Sequence, residues 1–344
     1  MTDKASSPQA RPQKPTLKTI AQVSGMAVPT VSRALADAPD ISETTKERIR
    51  RIANELGYIP NRAGVGLRTG RTNVVSLVMS AEREMMNVTA RLLSSIGVSL
   101  RATPFHLNVV PVLPDDDPMQ AVRYIVENRT ADGIIFNQVR TEDPRAQFLM
   151  ERKFPFATHG RTKWAGQHAY YDFDNFTYAR LGVDELVRKG RKNLILVAPP
   201  IEHNYALEMV EGAQKAAAAH GVKLHVAKQV DSDATTLETR DWATRKMTSD
   251  PNIDGIICAS TSATMAVVAG MESTGRKVGH DFDVVAKEAI PMLQLMRPEI
   301  IVVNENVDIT GAFLADAIVQ AIRTPENAPL QCLEVPNKDA LHSL

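Results

Sequence analysis

Cysteine is scarce in this sequence: 344 residues hold two, Cys258 and Cys332. Disulfides are therefore not what holds the chain together. Both cysteines lie in apolar runs, GIICAS and LQCLEV, that read as buried strands carrying reduced thiols. Long apolar runs are missing too. No stretch of about eighteen apolar residues occurs, which excludes a membrane-spanning helix. The start, MTDKASSPQARPQKP, lacks the apolar run of a secretory signal, so the expectation is a cytoplasmic protein. Catalytic signatures are absent as well: no H-x-x-x-H, C-x-x-C or G-x-S-x-G, and no spacing of His with Asp or Glu that suggests a metal site. The eight histidines are scattered, and the acidic run at Asp115, Asp116 and Asp117 sits between prolines, as a solvated loop would. The sequence thus predicts no enzyme, no cofactor and no metal.

Net charge is also missing, because 40 Lys/Arg stand against 40 Asp/Glu, but the balance is uneven along the chain. Residues 1–71 hold 12 basic and 6 acidic side chains, leaving 28 basic and 34 acidic for the rest. That asymmetry marks a small polyanion-binding module on a neutral-to-acidic body. With 44% hydrophobic residues the chain can bury a sizeable core, and its length suggests two or three domains.

Residues 1–15 are polar, carry three prolines and read as a disordered tail. A compact helical pattern follows. Thr16 can cap a helix with Leu17, Ile20, Ala21 and Val23 on its apolar face, and Gly25 can end it in a left-handed turn. Pro29 fits only the first turn of a second helix, which buries Val31 and Leu35. Ser42 caps a third, with Ile49, Ile52, Ala53 and Leu56 facing inward. Two short helices joined by a Gly-containing turn form either a helix-turn-helix, whose second helix enters the DNA major groove, or a plain three-helix bundle.

The stretches TLKTIAQVSGMAVPTVSRAL and ISETTKERIRRIANELGYIPNRA resemble the DNA-binding headpiece of the LacI/GalR (lactose-repressor) family. The resemblance implies a small all-α helix-turn-helix headpiece and an α/β, periplasmic-binding-protein-like core of two parallel-sheet subdomains. It places Val28, Pro29 and Arg33 against bases, and arginine can bond bidentately to guanine. Thr16, Thr30, Ser32, Ser42, Thr45, Tyr58 and Asn61 fall at phosphate-contacting positions. Ala36 stands where the family commonly has Asn.

The glycine-rich RAGVGLRTGRT (62–72) has neither the spacing of a Walker A loop nor that of a dinucleotide fingerprint. By resemblance, residues 62–73 are a hinge that places Leu67 in the minor groove, flanked by Arg62 and Arg68. Gly64 and Gly66 each cost about 1 kcal/mol of helix stability against alanine, so the hinge is expected to fold only on DNA. A plain linker is the alternative.

From Thr72 onward, apolar strands alternate with helical periodicity in two similar halves, the pattern of parallel α/β sheets with a ligand cleft at the strands' carboxyl ends. The expected halves are 74–171 with 306–330, and 172–305 with 331–340, the last strand joining the second half. Resemblance points to an effector site containing His159, Tyr171, Tyr205, Met209, Ser260, Lys287 and Glu288. Met209 replaces a family arginine, so the ligand or its pose must differ, with Lys287 either a substitute cation or a surface residue. A sugar, a sugar phosphate, a sugar acid and no ligand at all remain open.

The resemblance implies a repressor of a carbohydrate operon, released by a small carbohydrate-like effector. No C-terminal leucine heptad is visible, so a homodimer on a pseudo-palindromic operator is expected. Induction and corepression both stay open. A transport solute-binding protein would lack the basic headpiece, and an enzyme with an accessory DNA-binding domain would need the missing catalytic constellation.

Overall fold

The computed structural model describes residues 15–58, 70–80, 86–113, 116–289, 292–336 and 341–342. The chain divides into two compact units, Met1–Thr72 and Asn73–Leu344.

The first unit holds α1 (Leu17–Ser24), α2 (Val28–Leu35) and α3 (Glu43–Glu55). Thr16 caps α1 reciprocally with Thr19, and Gly25 ends it at φ 70°, a conformation cheap only for glycine. Pro29 stands in the first turn of α2. Ile20, Ala21, Val31, Ala34, Ile49 and Ala53 form the core, with Leu35, Ile52 and Leu56 packed around it. Val23 is exposed and Ser24 buried in its stead. At about 100° per residue, Leu17, Ile20, Ala21 and Ser24 share one arc, and Val23 falls outside it. Ser42 occupies the cap position of α3, but its hydroxyl bonds Thr45 Oγ1 at 2.9 Å rather than the helix backbone.

Among the described residues, the second unit forms two six-stranded sheets. The first comprises β1 (Val74–Ser80), β2 (His106–Val112), β3 (Gly133–Phe136), β4 (Phe156–His159) and β5 (Ala169–Phe173), with helices α4 (Met86–Leu100), α5 (Pro118–Glu127) and α6 (Pro144–Glu151) between them. The chain then crosses into the second sheet through α7 (Asn175–Arg188). There it forms β6 (Asn193–Val197), α8 (Asn204–His220), β7 (Lys223–Val226), α9 (Thr236–Ser249), β8 (Gly255–Cys258), α10 (Thr261–Glu272), β9 (Asp283–Glu288), the short α11 (Leu293–Met296) and β10 (Ile301–Asn304). Helix α12 (Val307–Arg323) returns to the first lobe, where a Cβ on Gly133 would stand 2.8 Å from Ile318. β11 (Gln331–Glu334) and β12 (Leu341–His342) follow.

The sheet orders are β11-β5-β4-β3-β1-β2 and β12-β10-β9-β8-β6-β7. All pairs are parallel except β10 with β12. β11 corrects the sequence expectation: it pairs with β5, from Gln331↔Tyr170 to Glu334↔Phe173, in the first lobe and not the second. The reason is proximity. α12 lies on the first sheet, and the short link after it reaches that sheet's edge before the other. β12 alone adds a strand to the second sheet, just past the predicted segment. The first crossing likewise comes after Phe173, where β5 ends, rather than at residue 171.

Cys258 is buried in β8, which pushes its thiol up to about 12. Cys332 is only half-buried, because β11 is an edge strand; it too is free. Asp117 caps α5, and Asp116 accepts from the Leu113 amide, so both serve the backbone. Among the described residues, no helix is long and apolar enough to cross a membrane.

Candidate nucleic-acid interface and effector cleft

In α2, Val31 and Ala34 face the core while Val28, Pro29 and Arg33 are exposed on the opposite arc, with half-buried Ser32 between them. That is the disposition a recognition helix needs. The helix starts at exposed Val28 and carries its cation in the last turn, where Arg33 is ion-paired with Asp40. Thr16 and Ser42 are exposed at the starts of α1 and α3; Thr30, Thr45 and Tyr58 are half-buried. Three other basic side chains of the headpiece are engaged internally. Lys46 bonds Asp37 at 2.9 Å and Glu43 at 3.3 Å, Arg50 bonds Asp37 at 2.8 Å, and Arg48 donates to the Ser24 carbonyl. Asn61, Arg62, Leu67 and Arg68 lie outside the described residues.

In the second unit, the carboxyl ends of β3, β4, β5, β8, β9 and β10 converge on a cleft of about 390 Å³ between the lobes. Its volume is within the range of about 300–1,000 Å³ usual for small-molecule sites. Glu305, just past β10, is the electrostatic centre. Its Oε2 meets Lys287 Nζ at 3.0 Å and its Oε1 faces His159 Nε2 at 3.5 Å. Burial alone would raise this carboxyl, but Lys287 and His159 hold it down at about 2. Lys287 also donates to Asn175 Oδ1 at 3.2 Å and lies over the Phe173 ring.

Asp172 lines the same cleft from the end of β5. Its Oδ2 accepts from Arg161 Nε at 2.7 Å. Burial raises its carboxyl above the ordinary range, and Arg161 offsets only part of that rise. Ser260 caps α10, accepting from the Ala263 amide, and its hydroxyl borders the cleft with Thr261 and Ser262. Tyr205 stacks on His203 at a ring separation of 5.3 Å and borders it too.

Of the residues predicted for this site, His159, Tyr205, Ser260 and Lys287 line the cleft, whereas Tyr171, Met209 and Glu288 do not. Strand alternation turns Tyr171 toward α12, where it packs on Phe313 and donates to Glu334 at 2.6 Å, and gives the cleft to Asp172. Met209 is fully buried in the core under α8. Glu288 is turned away from Lys287 along β9, and its Oε1 accepts from the Met292 and Leu293 amides at 2.6 Å each. Asp172, Glu305, Asn137 and Asn175 also line the cleft, and the sequence pattern does not single them out. The acid after Tyr171, in YYDFDN at a strand's carboxyl end, was the available signal for Asp172.

Two family descriptions match the chain: "Bacterial regulatory proteins, lacI family" over residues 16–61, and "Periplasmic binding proteins and sugar binding domain of LacI family" over 90–338. HTH-type transcriptional regulator CelR of Thermobifida fusca is 25% identical over 327 residues, 93% of this chain and 96% of that protein. HTH-type transcriptional regulator RafR of Escherichia coli is 30% identical over 209 residues, covering 60% and 62% of the two chains. Among solved structures, the lac repressor dimer bound to operator and the anti-inducer ONPF superposes with a TM-score of 0.81 at 18% identity, over 94% of this chain and 97% of that one. The CelR–cellobiose complex superposes with a TM-score of 0.68 at 23% identity, over 94% and 98%.

Proposed function

The chain belongs to the lacI family of bacterial regulatory proteins, and on that premise we propose that it represses a carbohydrate uptake or catabolism operon until a neutral sugar fills its cleft. Helix α2 enters the major groove, with Arg33 reading guanine and Val28 and Pro29 making apolar contacts to base edges. Thr16, Thr30, Ser32, Ser42, Thr45 and Tyr58 bear on phosphates, which set register and not sequence. Two copies act as a homodimer on a pseudo-palindromic operator. The cleft is a sensor, and no catalytic step is assigned to it.

One observation carries the ligand class: among the described residues, the cleft has no cation to spare. Its lining holds the carboxylates of Asp172, Asp233 and Glu305 against Lys287 and His159, and Lys287 is already paired with Glu305. A sugar phosphate or sugar acid would add negative charge to that set at close range. A neutral polyol would not. It would instead find hydroxyls on Ser260, Thr261 and Ser262, amides on Asn137 and Asn175, and ring faces on Phe173 and Tyr205. The cellobiose held by CelR supports this class.

Release follows if the sugar binds more tightly to the arrangement with low operator affinity, and by linkage operator then weakens sugar binding by the same factor. The test is calorimetry with cellobiose, maltose, glucose 6-phosphate and gluconate, paired with operator gel shifts. A neutral disaccharide should bind and release DNA. Binding by glucose 6-phosphate or gluconate alone would overturn the assignment.

A further inference from the structure

Arg161 touches both lobes. It follows β4, just past Gly160, which turns at φ 113° where a Cβ would stand 2.7 Å from Val139. From there its Nε donates to Asp172 of the first lobe at 2.7 Å. Its terminal nitrogen donates to both carboxylate oxygens of Glu208, on α8 of the second lobe, at 2.9 Å each. The guanidinium is the one side chain whose planar fork can hold two carboxylates in this way.

The contact is part of a seam. Asn204, one turn before Glu208, donates from Nδ2 to Glu208 Oε1 at 3.0 Å. Its Oδ1 accepts from Thr141 Oγ1 at 2.7 Å, and its backbone amide donates to the Val139 carbonyl at 2.9 Å. Val139, Thr141 and Arg161 of the first lobe thus meet Asn204 and Glu208 of the second along one line of bonds. At the inner end of that line stands Asp172, buried, with Oδ2 committed to Arg161 and its residue lining the cleft. A buried carboxylate without a cation would neutralise and lose its strength as an acceptor.

We propose that Arg161 is a positioning residue: it holds Asp172 as a charged acceptor for a ligand hydroxyl and, through Glu208, couples occupancy of that acceptor to closure of the two lobes. The hydroxyl ligand rests on the carbohydrate reading above; the seam does not.

The Asn204 amide is a built-in reporter, since its bond crosses the seam. Hydrogen exchange on the full-length protein, followed on short peptides covering 200–207, reads seam opening without any ligand. Glu208→Gln should speed exchange at Asn204 by about tenfold and weaken disaccharide binding, with cellobiose and maltose as probes, by a similar factor. Arg161→Met should do both more strongly. Arg161→Lys, which retains charge without the fork, should recover little of either. Melting curves identify any variant that fails to fold, and Glu208→Gln is the conservative one. Unchanged exchange at Asn204 in folded Glu208→Gln and Arg161→Met would overturn the coupling. If the wild type binds no neutral sugar, the carbohydrate reading fails, and the exchange result still decides the seam.

Discussion

Arg33, in the last turn of α2, is ion-paired with Asp40 in the loop that follows. Both side chains are about half exposed, so the pair itself contributes little to stability. Its consequence lies in DNA recognition. A guanidinium held by its own carboxylate is offered to a phosphate only at the cost of that partner, whereas guanine O6 and N7 together present two acceptors to the fork in place of the one carboxylate contact. Asp40→Asn should therefore strengthen binding to non-operator DNA more than binding to operator, and steepen the salt dependence by up to about one unit of slope. Fluorescence anisotropy over a salt series measures both. Equal strengthening on all sequences would mean that Asp40 acts only through its charge. Arg33→Ala should cost about 1–3 kcal/mol of discrimination at one guanine per half-site.

Ile49 is fully buried at the centre of the small headpiece core, against Ile20 and Val31. Ile49→Ala should cost about 2–5 kcal/mol. A core of this size supplies only about 3–5 kcal/mol in total. Because Met1–Thr72 and Asn73–Leu344 are separate compact units, the loss should stay local. The expected outcome is a protein that no longer binds operator yet keeps its main thermal transition and its sugar affinity. Loss of sugar binding together with DNA binding would show that the units fold as one.

Much of the fold is legible because local rules and tertiary packing agree. Gly25 sits at φ 70° where the first helix stops, Pro29 opens the second, and each apolar run expected as a strand is one. The cleft is less legible. At Tyr171 and Glu288, both on strands, the lining neighbour is one residue away, at Asp172 and Lys287. Adjacent residues on a strand point to opposite faces, so a small misjudgement of register exchanges a core residue for a lining one. Met209 is on helix α8, where a step of one residue turns about 100°, from the buried core to Glu208 on the seam. Arg161 left no trace in any periodicity, since its partners are 11 and 47 residues away. The placement of strand β11 is illegible for a similar reason: which sheet an edge strand joins depends on where α12 delivers it, and not on its own residues.

Gly212 makes possible the close approach of α7 and α8. A Cβ there would lie 2.2 Å from the Phe176 carbonyl oxygen, a backbone atom that cannot rotate away. Gly212→Ala gains helix propensity but must push the helices apart, so it should cost about 1–3 kcal/mol or more. Phe173 and Asn175, which line the cleft, lie just before Phe176 in the chain and would shift with it. A lower melting temperature with weakened disaccharide binding is expected. A more stable protein, as propensity alone predicts, would contradict this account.

Glu305 and Asp172 should separate the loss of binding from the loss of structure as pH falls. Glu305 is depressed from 4.5 to about 2, so its pairing stabilises the fold above the ordinary carboxylate range and is lost only as pH drops from 4.5 toward 2. Asp172 and Glu208 are raised by burial, so they take up protons first, and that uptake relieves a buried charge rather than breaking the fold. Sugar affinity should therefore fall with acidification while the body remains folded. Glu305→Gln tests the lower step. At neutral pH it leaves Lys287 without its carboxylate in a largely buried site and should cost about 3–5 kcal/mol. In acid the wild type loses the same pair by protonation, so the melting temperatures of mutant and wild type should converge between pH 4.5 and about 2. Parallel melting curves across that window would show that Glu305 is not held by Lys287 and His159.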